Sequence, residues 1–114
     1  MRKLATKKIS AIAIYDDKCP LLRALEIIGG KWKLPIIWFL SKKSSMRFNE
    51  LQRHTVGVSH MMLTKCLREM EADGLVTRTE YNEVPPHVEY SLSHSGKALI
   101  QVLESLYKWG EIYT

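Results

Sequence analysis

From Pro20 onward the apolar residues fall mostly at helical spacing. Leu21, Leu22, Leu25 and Ile28 keep that spacing, Cys19-Pro20 offers a start because proline is favoured in a first turn, and Gly29-Gly30 ends the run. A second apolar helix is predicted over about residues 32–40. Pro35 complicates it, since proline lacks the N–H and clashes with the carbonyl four residues back. Either the helix begins near Trp32, with Pro35 in its first turn, or it bends there. Trp38 and Phe39 are expected inside. Residues 42–46 read as a polar turn, and residues 48–53 as a short helix with Phe48 and Leu51 facing in. Gly57 suits a tight turn over residues 55–58. Ser59 is a good N-cap for a helix running to about Asp73, which Gly74 closes.

The period then changes to two. Residues 75–81 alternate as a strand, residues 82–86 form a loop, and Val88, Tyr90 and Leu92 alternate again, so a β-hairpin is expected. A long amphipathic helix follows from about Ser95 to Tyr113, with Leu99, Val102, Leu103, Leu106, Trp109 and Ile112 on its apolar side. Short helix, Gly-containing turn, helix and hairpin in that order make a winged helix-turn-helix, mainly α with a small β-hairpin wing. Residues 1–18 are expected to be a basic N-terminal extension and residues 19–114 the domain. Within the extension, residues 9–15 fit a short strand and a packing helix equally.

The helix opened by Ser59 is the most informative segment. At ~100° per residue, Leu63, Cys66, Leu67 and Met70 share a stripe that faces a core. Met61, Thr64, Lys65 and Arg68 lie on the opposite side, with His60 at its N-terminal end. A helix in the major groove needs such a face: basic side chains for guanine edges and phosphates, hydroxyls for several partners, apolar groups for thymine methyls. The candidate DNA-binding set is therefore Ser59, His60, Met61, Thr64, Lys65 and Arg68. Arg47, which opens the first helix of the motif, joins it, as do Pro86 and His87 at the wing. Lys31, Lys33, Lys42 and Lys43 are further candidates for phosphate contacts.

Composition narrows the class. The 114 residues fit one domain, and a net charge of +5 favours polyanionic partners, nucleic acid first and an anionic membrane surface second. The apolar run at residues 9–15 lacks a cleavage site, and no stretch is long enough for a membrane span, so a cytoplasmic protein is expected. The four histidines, His54, His60, His87 and His94, are scattered over different elements without metal-ligand or catalytic spacing. No Gly-rich phosphate loop is present. An enzyme is not expected, nor a cofactor or metal. The rival to a DNA-binding regulator is a winged-helix module that binds only protein.

Taken together, Cys19-Pro20, Gly29-Gly30-Lys31-Trp32-Lys33, Arg47-Phe48-Asn49-Glu50-Leu51, Met62-Leu63-Thr64, residues 67–76, Val84-Pro85-Pro86 and Val88-Glu89-Tyr90-Ser91-Leu92 resemble the HxlR-type family of bacterial transcription regulators. The resemblance covers residues 19 to about 112 in unbroken order. It implies a homodimeric winged-helix protein on a palindromic operator, with the helix next to Cys19 and the C-terminal helix forming much of the dimer interface. It also implies that an electrophile, quinone or oxidant can act at the position of Cys19, as in some members. The chain departs from the family pattern at Pro35, where an aliphatic residue is common, and at Met61 and His87, where basic residues are common.

Two cysteines, Cys19 and Cys66, make no disulfide framework and no zinc site. Cys19 precedes a helix, whose N-terminus favours a thiolate; Lys18 acts in the same sense, and Asp16 and Asp17 oppose. Cys19 is thus the regulatory candidate, and Cys66, on the apolar stripe, a core residue.

Overall fold

A computed structural model describes residues 19–114; the basic extension and the apolar run at residues 9–15 lie outside the described residues. The chain divides into two units, Met1–Gly30 and Lys31–Thr114. In the first, helix α1 spans Pro20–Ile28. Cys19 is its N-cap, with the Arg23 amide donating to the Cys19 carbonyl at 3.0 Å. The helix buries no side chain, and Leu21 and Leu25 stand exposed.

The second unit opens with α2, Lys33–Leu40, whose N-cap is Trp32. Pro35 therefore sits in the first turn, where a backbone N–H has no partner within the helix to lose. The first bonded turn closes normally, Ile36 N–H to Trp32 carbonyl at 3.0 Å. Ile36, Ile37 and Leu40 supply the core. Trp38 and Phe39, expected inside, are only half-buried. With the inward stripe taken by the aliphatic residues, they lie along its edges. Trp38 stacks on Tyr107 at 5.5 Å between ring centroids, and Phe39 on His54 at 5.8 Å.

Where a plain turn is expected, the chain forms a two-residue strand, β1, Met46–Arg47. Helix α3, Phe48–His54, follows at once, then the turn in which Gly57 takes φ +96°, and α4, His60–Ala72. Gly74, at φ +77°, closes α4. The Gly74 amide donates to the Glu71 carbonyl at 3.0 Å and the Leu75 amide to Met70 at 2.9 Å, so two orphan carbonyls of the last turn are satisfied.

Strands β2, Val76–Tyr81, and β3, His87–Leu92, form the hairpin, and β1 adds to it in the antiparallel order β1-β3-β2. Val76 pairs with Leu92, Arg78 with Tyr90, and Met46 with Tyr90 on the far side. The single C-terminal helix expected from Ser95 is two helices: α5, His94–Ala98, capped by Ser93, and α6, Ile100–Tyr113, with Leu99 between them. Gly96 packs so closely under Leu75 that a Cβ would collide with the Leu75 carbonyl. Of the apolar side expected for the C-terminal helix, only Leu103 is buried; Val102, Leu106, Trp109 and Ile112 are exposed.

Candidate nucleic-acid interface

Helix α4 begins where Ser59 takes extended backbone and its Oγ accepts from the Met62 amide at 3.0 Å. The Phe48 ring, at the start of α3, lies 4.6 Å from the His60 ring, which pins the start of α4 to the preceding helix. Leu63, Cys66, Leu67 and Met70 are buried, so the inner stripe falls where the helical period puts it. The other side is open. His60, Met61, Thr64, Lys65, Arg68 and Glu69 line a shallow depression of about 560 Å³. Met61 is 80% exposed in the middle of this face. Thr64 Oγ1 donates to the His60 carbonyl at 2.9 Å, which fixes its rotamer and leaves oxygen lone pairs for a partner.

Charges around this face are sorted by their partners. Glu69 accepts from Lys33 at 3.0 Å and Lys65 at 3.4 Å, and these ammonium groups, Lys33 first, hold its carboxyl below the usual carboxylate range. The Lys33 side chain is only 12% exposed, so it ties α2 to α4 and is not placed to reach a phosphate. Lys43 is paired with Glu50, and the Lys31 and Lys42 ammoniums sit 4.8 and 3.7 Å over the Trp32 and Trp38 rings. Arg68 has no ion-pair partner among the described residues. Arg47 is exposed, caps α3 by position, and stands opposite Glu89 across β1 and β3.

At the wing, Pro86 is exposed and His87 half-buried between acidic neighbours. Its Nε2 lies 3.0 Å from Glu89, its Nδ1 3.5 Å from Glu83, and its ring stacks on Tyr81 at 4.7 Å. Glu89 also accepts from Ser45 Oγ at 2.6 Å; Ser45 and then His87 hold its carboxyl below the usual range. His87 is therefore held within the hairpin by Tyr81, Glu83 and Glu89, and Glu89 in turn ties the hairpin to the loop before β1 through Ser45. Arg78 and Tyr90, which sequence reading passed over, flank α4 instead. Strand parity was the available signal: counting by twos from the buried Val76 places Arg78 on the helix-facing side.

Both cysteines are free thiols. Cys19 is partly exposed at the head of α1; Cys66 is buried behind α4, where burial pushes its thiol up. Among the described residues, no group of three His, Cys, Asp or Glu side chains could hold a metal ion, and no helix is long and apolar enough to cross a membrane.

Known proteins share the sequence and fold of this chain. The family model described as HxlR-like helix-turn-helix matches residues 27–114. The uncharacterized HTH-type transcriptional regulator BH0655 of Halalkalibacterium halodurans is 46% identical over 91 residues, covering 80% of this chain and 80% of its own. The solved structure of the redox regulator HypR in its oxidized form superimposes with a TM-score of 0.78 at 42% identity, covering 84% of this chain and 98% of its own. The reduced form of the transcriptional regulator YodB from Bacillus subtilis gives 0.73 at 30% identity, covering 83% and 93%. These relatives and the winged-helix fold they share are those of transcription regulators, not of enzymes.

Proposed function

Since the chain belongs to the HxlR-like helix-turn-helix family of transcription regulators, we propose that it binds a palindromic operator in duplex DNA as a homodimer. The observation that carries this reading is the outer face of α4. Met61, Thr64, Lys65 and Arg68 stand open in one line over a depression of about 560 Å³, while the opposite stripe is buried. Arg68 and Lys65 read base edges or phosphates, Thr64 either, and Met61 a thymine methyl. His60 lies at the N-terminal end, which sits deepest in the groove. Ser59 acts through the cap that shapes this end, Arg47 contacts backbone from the start of α3, and Pro86 borders the groove from the wing. His87 holds the wing in place for them.

The homodimer is supported by the apolar residues that the fold leaves uncovered, Leu21 and Leu25 on α1 and Val102, Leu106, Trp109 and Ile112 on α6. Residues 19–114 act as the domain and residues 1–18 as its basic extension. Control by an oxidant or electrophile at Cys19 is supported by its exposure at the head of α1 and by the likeness to HypR and YodB. Modification there shifts α1 and so the spacing of two recognition helices, which must match half-sites about 34 Å apart per helical turn.

One experiment tests both parts. Duplex fragments selected from the host genome are titrated with wild type and Cys19→Ser, with and without diamide, over a salt series. Affinity should fall steeply as salt rises, and diamide should change wild-type binding alone. A flat salt response, or no binding to any duplex, would favour the module that binds only protein. An equal diamide response in both proteins would remove Cys19 from control.

A further inference from the structure

Sheet parity extends the interface beyond α4. Residues directly opposite in an antiparallel pair share a face. Val76 and Leu92 are such a pair, buried on the side that meets the helices. Two residues further along each strand, Arg78 and Tyr90 pair on the same side, just where burial ends. There the sheet and α4 enclose a cleft of about 330 Å³, lined by Thr64, Leu67, Arg68, Glu71, Arg78 and Tyr90. Leu67 is the buried residue of this lining, and arginines line the cleft from two separately anchored elements. Glu71 is the carboxylate of this lining and works against an anion there, at two cations to one.

Arg78 is occupied in a telling way. Its Nη1 donates to Glu80 Oε2 at 2.5 Å, and the Glu80 side chain is 68% exposed. An exposed carboxylate on a guanidinium presents the same paired oxygens as a phosphodiester, and contributes little to stability. It can be exchanged at small cost.

We propose that this cleft binds a phosphodiester of the duplex backbone, with Arg78 as its ligand, Tyr90 and Thr64 as uncharged neighbours, and Glu80 as the group the phosphate displaces. The inference rests on the DNA-binding reading and deepens it. Arg68 borders both the open face of α4 and this cleft. A phosphate held by Arg78 therefore fixes how deep and at what register α4 enters the groove, which is what backbone contacts do. The base of the hairpin then contributes alongside Pro86 at its tip.

The test compares wild type, Arg78→Gln, Glu80→Gln and the double variant on a mixed-sequence duplex and on a selected operator fragment, by fluorescence anisotropy over a salt series. Arg78→Gln should weaken binding to both duplexes by a similar factor, roughly tenfold for one lost charge-assisted contact, and make the salt slope shallower by about one. Glu80→Gln should tighten binding several-fold, and the double variant should bind as weakly as Arg78→Gln alone. Wild-type affinity and slope in Arg78→Gln would overturn the proposal. So would a double variant that keeps the full gain from Glu80→Gln, since Glu80 would then act only as general charge. If Arg78→Gln fails to melt as a folded protein, Glu83→Gln serves as the charge control: Glu80→Gln should tighten binding more than Glu83→Gln, and an equal gain would overturn the proposal. Failure of the wild type to bind either duplex would instead overturn the DNA-binding reading itself.

Discussion

Leu63 and Met61 are two residues apart on α4 and face opposite ways. Leu63 is 0% exposed and Met61 80%. Leu63→Ala deletes a fully enclosed side chain between the inner stripe of α4 and the rest of the core. Buried Leu→Ala changes cost about 2–5 kcal/mol, and a site enclosed on all sides collapses poorly, so about 3 kcal/mol is expected. For a domain of this size each kcal/mol moves the melting midpoint by roughly 4–8 °C, so the variant should melt roughly 12–24 °C lower. Met61→Ala removes only solvated surface and should change stability by less than about 0.5 kcal/mol. Its effect belongs in DNA binding, where one lost base-edge contact is worth at least about 1 kcal/mol, or roughly fivefold in Kd. Melting by circular dichroism, at one fixed protein concentration because a dimer's stability depends on it, gives the first pair of numbers. Anisotropy on an operator fragment, well below both melting midpoints, gives the second. Equal destabilisation by the two variants, or unchanged operator affinity in Met61→Ala, would refute the division of α4 into a core face and a reading face.

Two further predictions follow from local geometry. Ser59→Ala removes the acceptor for the Met62 amide and should cost about 1 kcal/mol in thermal melting, while Ser59→Asp, which keeps an acceptor there, should cost at most a few tenths; equal losses would mean the cap bond is not what matters. Glu50, Glu69 and Glu89 all titrate below the ordinary value of 4.5, held down chiefly by Lys43, Lys33 and Ser45. A carboxylate depressed by folding adds stability above its unfolded value, and that stability is lost as pH falls through the lower folded value. Stability should therefore decline below about pH 4.5, and Glu69→Gln should make that decline shallower; an acid limb identical to wild type would remove Glu69 from the linkage.

Much of the architecture is legible in the residues because helices and strands of ordinary length print their period on the chain. The stripe Leu63, Cys66, Leu67, Met70 and the closure at Gly74 are of this kind. What escapes has too few residues to show a period, or is decided by a partner distant in sequence. β1 is two residues long and exists because β3 offers it an edge. The division at Leu99 leaves the apolar spacing nearly intact, so the pattern reads through it. Trp38 and Phe39 look like core by size and hydropathy, yet Ile36, Ile37 and Leu40 occupy the inward stripe. His87 looks like a free donor at a wing tip. Glu89, two residues on along the same strand, is within reach of strand parity; what the chain hides is Ser45 behind Glu89 from 44 residues away.

The same distinction governs the charge. A net +5 says that a polyanion is a fitting partner, but not which cations meet it. Lys33 and Lys43 are neutralised by glutamates, and Lys31 and Lys42 lie on tryptophan rings. Lys33 could meet DNA only by giving up its present contact. That means leaving a nearly buried site that joins α2 to α4, which disrupts the helix it is meant to help position. Arg68 gives up no ion pair, and Arg78 gives up an exposed one that a phosphate oxygen replaces in kind. The cations best placed for DNA are therefore those whose release costs the fold least. They flank one surface, the open side of α4 and the cleft beside it.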